Sequence, residues 1–379
     1  MINRRHFSIG LGAGLAAATG PVLAQSASEG PIVLGQSAPF TGAAAQLGIQ
    51  YHAGAKLHFD RVNAQGGIGR RRIELRKLDD GYEPDRCVAN THQLIADDVF
   101  ALFGYVGTPT SVAALPVATR SHVPFLAPLT GAMALREPFN RYAFHVRASY
   151  DDETALIVRQ LTNLGLKRIA VFYQNDSYGQ AGLSGVNAAL ASKDLKPVAL
   201  ATVERNSTDV AAAVRSIVAA TPEAVVQISA YKSCAAFVRG ARKAGFGGTF
   251  FNVSFVGTQA LSDELGKDGA GVVVSQVLPS PYNMAGALAR EFAEAIKSSG
   301  GEVSANYSSF EGYLAARVVS EGMRRASSRT LTRDGLMSAL ESMGNMQIGN
   351  FSLAFSPTNH VASKFVELSM LTGDGKVRT

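Results

Sequence analysis

The chain alternates short apolar runs with amphipathic stretches, and near residue 150 the alternation starts again. In the first half, residues 32–35, 73–78, 100–103 and 124–126 read as strands, and 46–64, 84–96 and 111–121 as helices, the first closed by Gly66-Gly67. In the second half, 151–163, 181–191, 210–219 and 233–244 read as helices. Between them lie strands at 169–173, 198–203, 224–228 and 249–252. Strands that are apolar throughout, each followed by a helix, belong to parallel sheets covered on both faces. Two such units of similar length predict an α/β protein with two doubly wound lobes. Residues 272–277 read as a strand that carries the chain back toward the first lobe. Helices follow at 285–297, with Leu288, Phe292 and Ile296 on one face, then at 310–325 and 334–343. The tail, 351–371, alternates like two or three strands. No low-complexity linker separates the halves, so short crossings rather than a flexible tether are expected between them.

The N-terminus reads as an address. Arg4 and Arg5 precede an apolar run from residue 9 to 18, Pro21 breaks it, and Val22-Leu23-Ala24 offers small residues for cleavage after Ala24. The run is too short to cross a bilayer of roughly 30 Å. The pair Arg4-Arg5, followed by His6-Phe7, also resembles a twin-arginine export signal, so both export routes stay open. With no cysteine near the cleavage site, no lipoprotein anchor is expected. Gly12, Gly14 and Ala17 mimic a dinucleotide fingerprint, but no strand precedes them and the segment is expected to be removed. Cleavage leaves 355 residues, too many for a typical single core. The net charge falls from +6 to about +4, with basic residues scattered, so no nucleic-acid partner is expected. Cys87 and Cys234 fall on predicted helices in different lobes and are expected as two buried free thiols.

In open parallel sheets, ligands bind where strand C-terminal ends meet helix N-termini. The loops there are 104–111, 128–132, 175–179, 229–231 and 254–257. They carry glycines for close backbone approach, hydroxyls at Thr108, Thr110, Ser111 and Thr130, and aromatic rings at Tyr178 and Tyr231. Thr and Ser at such positions also cap helices by the same geometry. Tyrosines there suit a ligand with an apolar body and one polar handle. No nucleophile elbow, phosphate-binding loop or metal-ligand spacing occurs, so no enzyme activity, cofactor or metal is expected. Asp79-Asp80 and Asp151-Asp152-Glu153 are explained by a strand end and a helix N-terminus rather than by acid–base chemistry.

Several segments resemble the type I periplasmic binding proteins of the leucine/isoleucine/valine-binding kind. They are Pro39-Phe40-Thr41-Gly42, Asn63-Ala64-Gln65-Gly66-Gly67-Ile68-Gly69, Asp79-Asp80, Asp176-Ser177-Tyr178-Gly179, Ala241-Arg242-Lys243-Ala244-Gly245 and Phe310-Glu311-Gly312-Tyr313. The resemblance implies two Rossmann-like lobes joined by three hinge crossings: 31–147 with 278–355, and 148–277 with 356–379. It implies a monomer in the periplasm that captures a small amino acid or a related carboxylate or amide and docks on an ABC permease. A ligand-sensing module of the same fold, reporting to a signalling partner, is the alternative. Site positions implied by the resemblance are Leu47 at the ligand's apolar end, the Thr108 hydroxyl at its carboxylate, and loop contacts at Leu129, Thr130 and Gly131. In the second lobe they are Tyr178 and Tyr231, with Tyr150 added at the crossing. One position departs. Where amino-acid binders carry a glutamate for the ligand's ammonium, this chain has Ser254. Either Asp151, Asp152 or Glu311 substitutes, or the ligand carries no α-ammonium.

Overall fold

The computed structural model describes residues 30–326 and 331–379; the predicted export signal lies outside them. Its first sheet contains β1 (Ile32–Ala38), β2 (Ile73–Asp79), β3 (Ala101–Phe103), β4 (Phe125–Leu126) and β5 (Ala143–Phe144), in the order β2-β1-β3-β4-β5. All its pairings are parallel. Crossovers run through α1 (Ala45–Ala64), α2 (Pro84–Ala96) and α3 (Thr108–Arg120). After α4 (Tyr150–Asn163) the plan repeats with β6 (Ile169–Gln174), α5 (Ser177–Ala191), β7 (Ala199–Val203), α6 (Ala211–Ala219) and β8 (Ala224–Ile228). Then come α7 (Tyr231–Lys243), β9 (Thr249–Asn252), α8 (Thr258–Leu265) and β10 (Val273–Gln276). The strand order β7-β6-β8-β9-β10 reproduces that of the first sheet, again parallel. The apolar runs of β6 and β8 are buried because helices cover both faces.

The strand over 273–276 belongs to the second sheet, and the chain leaves that sheet only after it. Helices α9 (Ala287–Ser298), α10 (Tyr307–Ala326) and α11 (Arg333–Glu341) follow, with α10 packed along α1 of the first lobe. Two glycines permit that approach. A Cβ on Gly54 would sit 1.7 Å from the Ser309 carbonyl oxygen, and one on Gly312 2.0 Å from that of Tyr51. A hairpin of β11 (Gly344–Ile348) and β12 (Phe351–Phe355) precedes the return to β13 (Glu367–Leu371) and β14 (Val377–Arg378), which extend the second sheet antiparallel.

The chain thus passes between lobes three times, through residues 145–149, 277–286 and 356–366. The first and third passages are bonded to each other: the His145 N–H donates to the His360 carbonyl, and the Ala362 N–H to that of His145, each at 2.8 Å. Cys87 and Cys234 are buried free thiols on α2 and α7. Among the described residues, no helix is long and apolar enough to cross a membrane.

Candidate functional site

The C-terminal strand ends of both sheets meet at one junction between the lobes, where Tyr82, after β2, contacts Gln174 at the end of β6 and Phe255 after β9. Four of the helices entering it begin earlier than their sequence periodicity predicts: α3 at Thr108, α4 at Tyr150, α5 at Ser177 and α7 at Tyr231. Thr108, Tyr150, Tyr178 and Tyr231 therefore sit on first helical turns rather than in loops. Side-chain caps account for two of the early starts. Ser149 and Asp152 form a reciprocal capping box on α4, and the Asp176 carboxylate accepts from the Tyr178 and Gly179 N–H groups.

On the first lobe, an isolated parallel bridge pairs Val106 with Leu129. The Gly107 N–H donates to the Leu129 carbonyl at 3.2 Å, which sets the two site loops side by side. The Thr108 and Thr130 hydroxyls then meet at 2.7 Å. Tyr150 packs against the next residue: a Cβ on Gly131 would fall 2.7 Å from its ring, and its N–H donates to the Gly131 carbonyl at 2.8 Å. From Tyr150 a run of aromatic rings crosses the cleft. Tyr150 and Tyr178 have centroids 5.4 Å apart, Tyr178 meets Phe255 edge-on at 4.7 Å, and Phe255 reaches Tyr82 of the first lobe at 6.0 Å. The buried hydroxyl of Tyr178 has no hydrogen-bond partner among the described residues. Burial raises the pKa of Tyr150, and the Arg147 charge with the Thr130 and Thr108 hydroxyls partly offsets it.

The remaining predicted residues close the far side. Leu47 projects from α1 against the second lobe, where a Cβ on Gly257 would lie 2.4 Å from Leu47 Cδ2. Tyr231 is buried at the start of α7, where burial raises its pKa and a hydrogen bond from the Gln46 backbone partly counters it. Leu129 contributes backbone, its side chain being buried in the core. Contacts thus join Thr108 with Thr130, Gly131 with Tyr150 and Tyr150 with Tyr178, and Leu47 of α1 with the second-lobe loop at Gly257.

Tyr82 and Phe255 escaped the sequence reading. Phe255 adjoins Ser254 in a loop already singled out. Tyr82 follows the β2 strand end and holds a left-handed backbone (φ 67°), fixed by its N–H donating to Asp80 Oδ1 at 2.8 Å. Its hydroxyl accepts from Gln174 Nε2 of the second lobe at 3.3 Å. Asp80 also accepts from the Ser37 hydroxyl, and burial lifts its pKa to about 6 despite these bonds. Burial would raise Asp79 too, but hydrogen bonds from Thr41, Phe40, Gly81 and Arg86 hold it at about 2. Both aspartates are occupied in holding loops.

A buried charge cluster lies in the hinge, and nothing in the local pattern announced it. Arg147, in the first crossing, is 2% exposed and Glu153 of α4 is fully buried. Arg147 Nη2 lies 3.4 Å from Glu153 Oε1 and also donates to the Ser254 hydroxyl; its Nε lies 3.6 Å from Glu311 Oε1 on α10. Glu153 accepts further from the Ser254 N–H (2.7 Å), the Ser254 hydroxyl (3.0 Å) and the Ser275 hydroxyl (2.5 Å). Ser254 is therefore anchored to the hinge. At the cleft mouth, Arg205 of the second lobe meets Glu83 of the first at 2.8 Å, and Asn206 Nδ2 donates to Glu83 and to the Gly81 carbonyl.

Residues 31–376 match the family described as periplasmic binding protein. A protein of Pseudomonas aeruginosa named amino acid binding protein is 28% identical over 62% of this chain and 63% of its own length, so the match spans less than two thirds of that relative. Leu/Ile/Val-binding protein homolog 3 of Brucella melitensis is 23% identical over 93% of this chain and 94% of its own. Among solved structures, one from Rhodopirellula baltica, described as a possible leucine/isoleucine/valine-binding protein, superposes with a TM-score of 0.86 at 33% identity, covering 92% of this chain and 95% of that one.

Proposed function

The chain belongs to the periplasmic binding protein family, and from that premise we propose that it is the extracytoplasmic solute-binding protein of an ABC importer. Its ligand is a small amino acid or a related carboxylate or amide, held between lobes divided near residues 147, 277 and 355. The observation that carries this reading is the convergence of both lobes on one set of aromatic rings, with the Tyr178 hydroxyl unpartnered among them. In this reading the Thr108–Thr130 hydroxyl pair meets the ligand's carboxylate at the N-terminus of α3, where the helix dipole favours negative charge. Tyr150, Tyr178, Phe255 and Tyr82 surround the body, and Leu47 and Tyr231 close the apolar end. A ligand that touches both lobes only when they are shut shifts the population toward the shut form by that difference in affinity. The names of the relatives support an amino-acid-like ligand.

The test is calorimetric titration of mature protein, refolded to strip bound solute, with amino acids, their des-amino acids and their amides. Thr108→Ala and Tyr231→Ala are expected to weaken binding by about 10-fold or more, each removing contacts worth about 1.5 kcal/mol, without lowering helical content. Unchanged affinity in both variants would remove the site assignment.

A further inference from the structure

We infer that Arg136 is a positioning residue that ties the Thr130 loop to the hinge, so that the placement of the Thr108–Thr130 hydroxyl pair follows the angle between the lobes. This rests on the binding reading above, in which that pair meets the ligand. Arg136 stands just past the site loop, after the short turn of residues 133–135. Its Nη2 reaches back and donates to the Thr130 carbonyl at 3.4 Å. The same nitrogen donates to the Arg147 and Ala148 carbonyls at 3.2 and 3.1 Å. Those two residues belong to the first crossing, and Ala148 precedes Ser149, the N-cap of α4 in the second lobe. One guanidinium nitrogen therefore staples both ends of the segment 130–148, which contains β5 and joins the site loop to the hinge.

The expense of the arrangement points to the bonds as its purpose. Arg136 is 8% exposed, and its Nε is buried without a hydrogen-bond partner among the described residues. Asp152 of α4 and Glu153 attract it through space, but neither forms a hydrogen bond with it. Burial, with repulsion from Arg147, lowers its pKa to about 10, so it stays charged at neutral pH. A buried cation with no bonded carboxylate is costly. A Met side chain would fill similar space without that cost, but it has no donor for three carbonyls from two parts of the chain. The staple acts on the site directly. The Thr130 hydroxyl lies 2.7 Å from that of Thr108 and accepts from the Ala132 N–H at 3.2 Å, so a shift of the Thr130 backbone moves the pair. Tyr150 adds a second strut between the same segments, its N–H donating to the Gly131 carbonyl. Lobe rotation is absorbed as changes of φ and ψ in hinge residues. The carbonyls of residues 147 and 148 turn with them, and Arg136 passes the turn to Thr130.

The experiment is a double-mutant cycle of Arg136→Met and Thr130→Val. It is titrated by calorimetry with L-leucine, 4-methylpentanoate and 4-methylpentanamide, and followed by amide hydrogen exchange without added solute. Each single variant is expected to weaken the compound that wild type binds most tightly by about 10-fold. The double variant should lose little more than either, because Arg136 acts through Thr130. Exchange in Arg136→Met should quicken in residues 130–132 and 147–152 together, while β6 and β8 stay protected. Additive losses, about 100-fold in the double variant, overturn the positioning role. So does wild-type affinity in Arg136→Met. Wild-type affinity in Thr130→Val overturns the role together with the hydroxyl site. If the wild type binds none of the three compounds, the proposed ligand class falls and exchange decides the role alone: quickening in only one of the two segments, or throughout the fold, overturns it. Where Arg136→Met does not fold, Arg136→Lys, which keeps the charge on a shorter stem, goes through the same cycle under the same criteria.

Discussion

The ion pair across the cleft mouth offers a measurement of lobe closure that touches no ligand atom. Arg205 and Glu83 come from different lobes, meet at 2.8 Å, and keep 24% and 43% of their side-chain surface exposed. At that exposure, solvent screening brings a pair of this kind to about 0.5–1 kcal/mol. Asn206 adds two hydrogen bonds across the same gap. In the ligand-linked closing proposed above, the pair forms as the lobes meet, so its whole worth enters that equilibrium and through it the ligand affinity. Glu83→Gln and Arg205→Gln should each weaken binding about 2- to 5-fold by the same energy. Glu83→Gln is the cleaner perturbation, since Arg205 also contacts Asp176, which caps α5 beside Tyr178. The assay is a double-mutant cycle by calorimetry, with the tightest compound of the panel, at low salt and at 0.5 M NaCl. A coupling of about 0.5–1 kcal/mol that shrinks in salt is expected, with little change in the melting temperature of ligand-free protein. Zero coupling at low salt, or a loss of ligand-free stability as large as the loss of affinity, would refute the reasoning.

Two further outcomes follow from the buried charges. Replacing Arg147 with Met leaves Glu153 and Glu311 buried without their cation; a loss of about 3–5 kcal/mol is expected, read as a drop of order 10 °C in melting temperature. A drop of only 1–2 °C, well short of that, would show that the cluster is solvated or already neutral. Asp80 has a folded-state pKa of about 6 against an ordinary 3.8, so the native state holds its proton more tightly than the unfolded chain does. The stability this contributes is present in full below pH 4 and is lost as pH rises through 6. Asp80→Asn should therefore gain relative to wild type, by up to about 3 kcal/mol, as urea unfolding is repeated from pH 4 to 7.5. A difference between the two proteins that does not change with pH would contradict this.

The covalent order of the chain determined the architecture because periodicity is a local property. A fully apolar run such as 169–173 fits only a strand covered on both faces, and a stripe such as Leu288, Phe292 and Ile296 only a helix facing a core. Strand ends mark the candidate loops for the same reason, and Thr108, Tyr178 and Tyr231 were legible as candidates as soon as the strands were, while Tyr150 came from the resemblance. Helix starts were less so: Tyr178 and Tyr231 precede the apolar stripes of their helices, and the Asp176 cap becomes visible only when its backbone partners are placed. Glu311 was legible as a member of a motif and as a candidate acid, while its partner was not.

What only the tertiary structure decided is whatever depends on which distant residues become neighbours. Strand β5 has two residues and exists because β4 and the hinge lie beside it. The pairing of His145 with Val361 joins residues more than 200 positions apart. Arg147 reads in sequence as a lone basic residue in an apolar stretch; the fold surrounds it with carboxylates from α4 and α10 and with Ser254. Tyr82 becomes a wall of the cleft only because the second lobe brings Phe255 and Gln174 against it. A side chain's period along the chain fixes the face it occupies, but its electrostatic partners are set by the packing of elements remote in sequence, and that long-range packing makes the site.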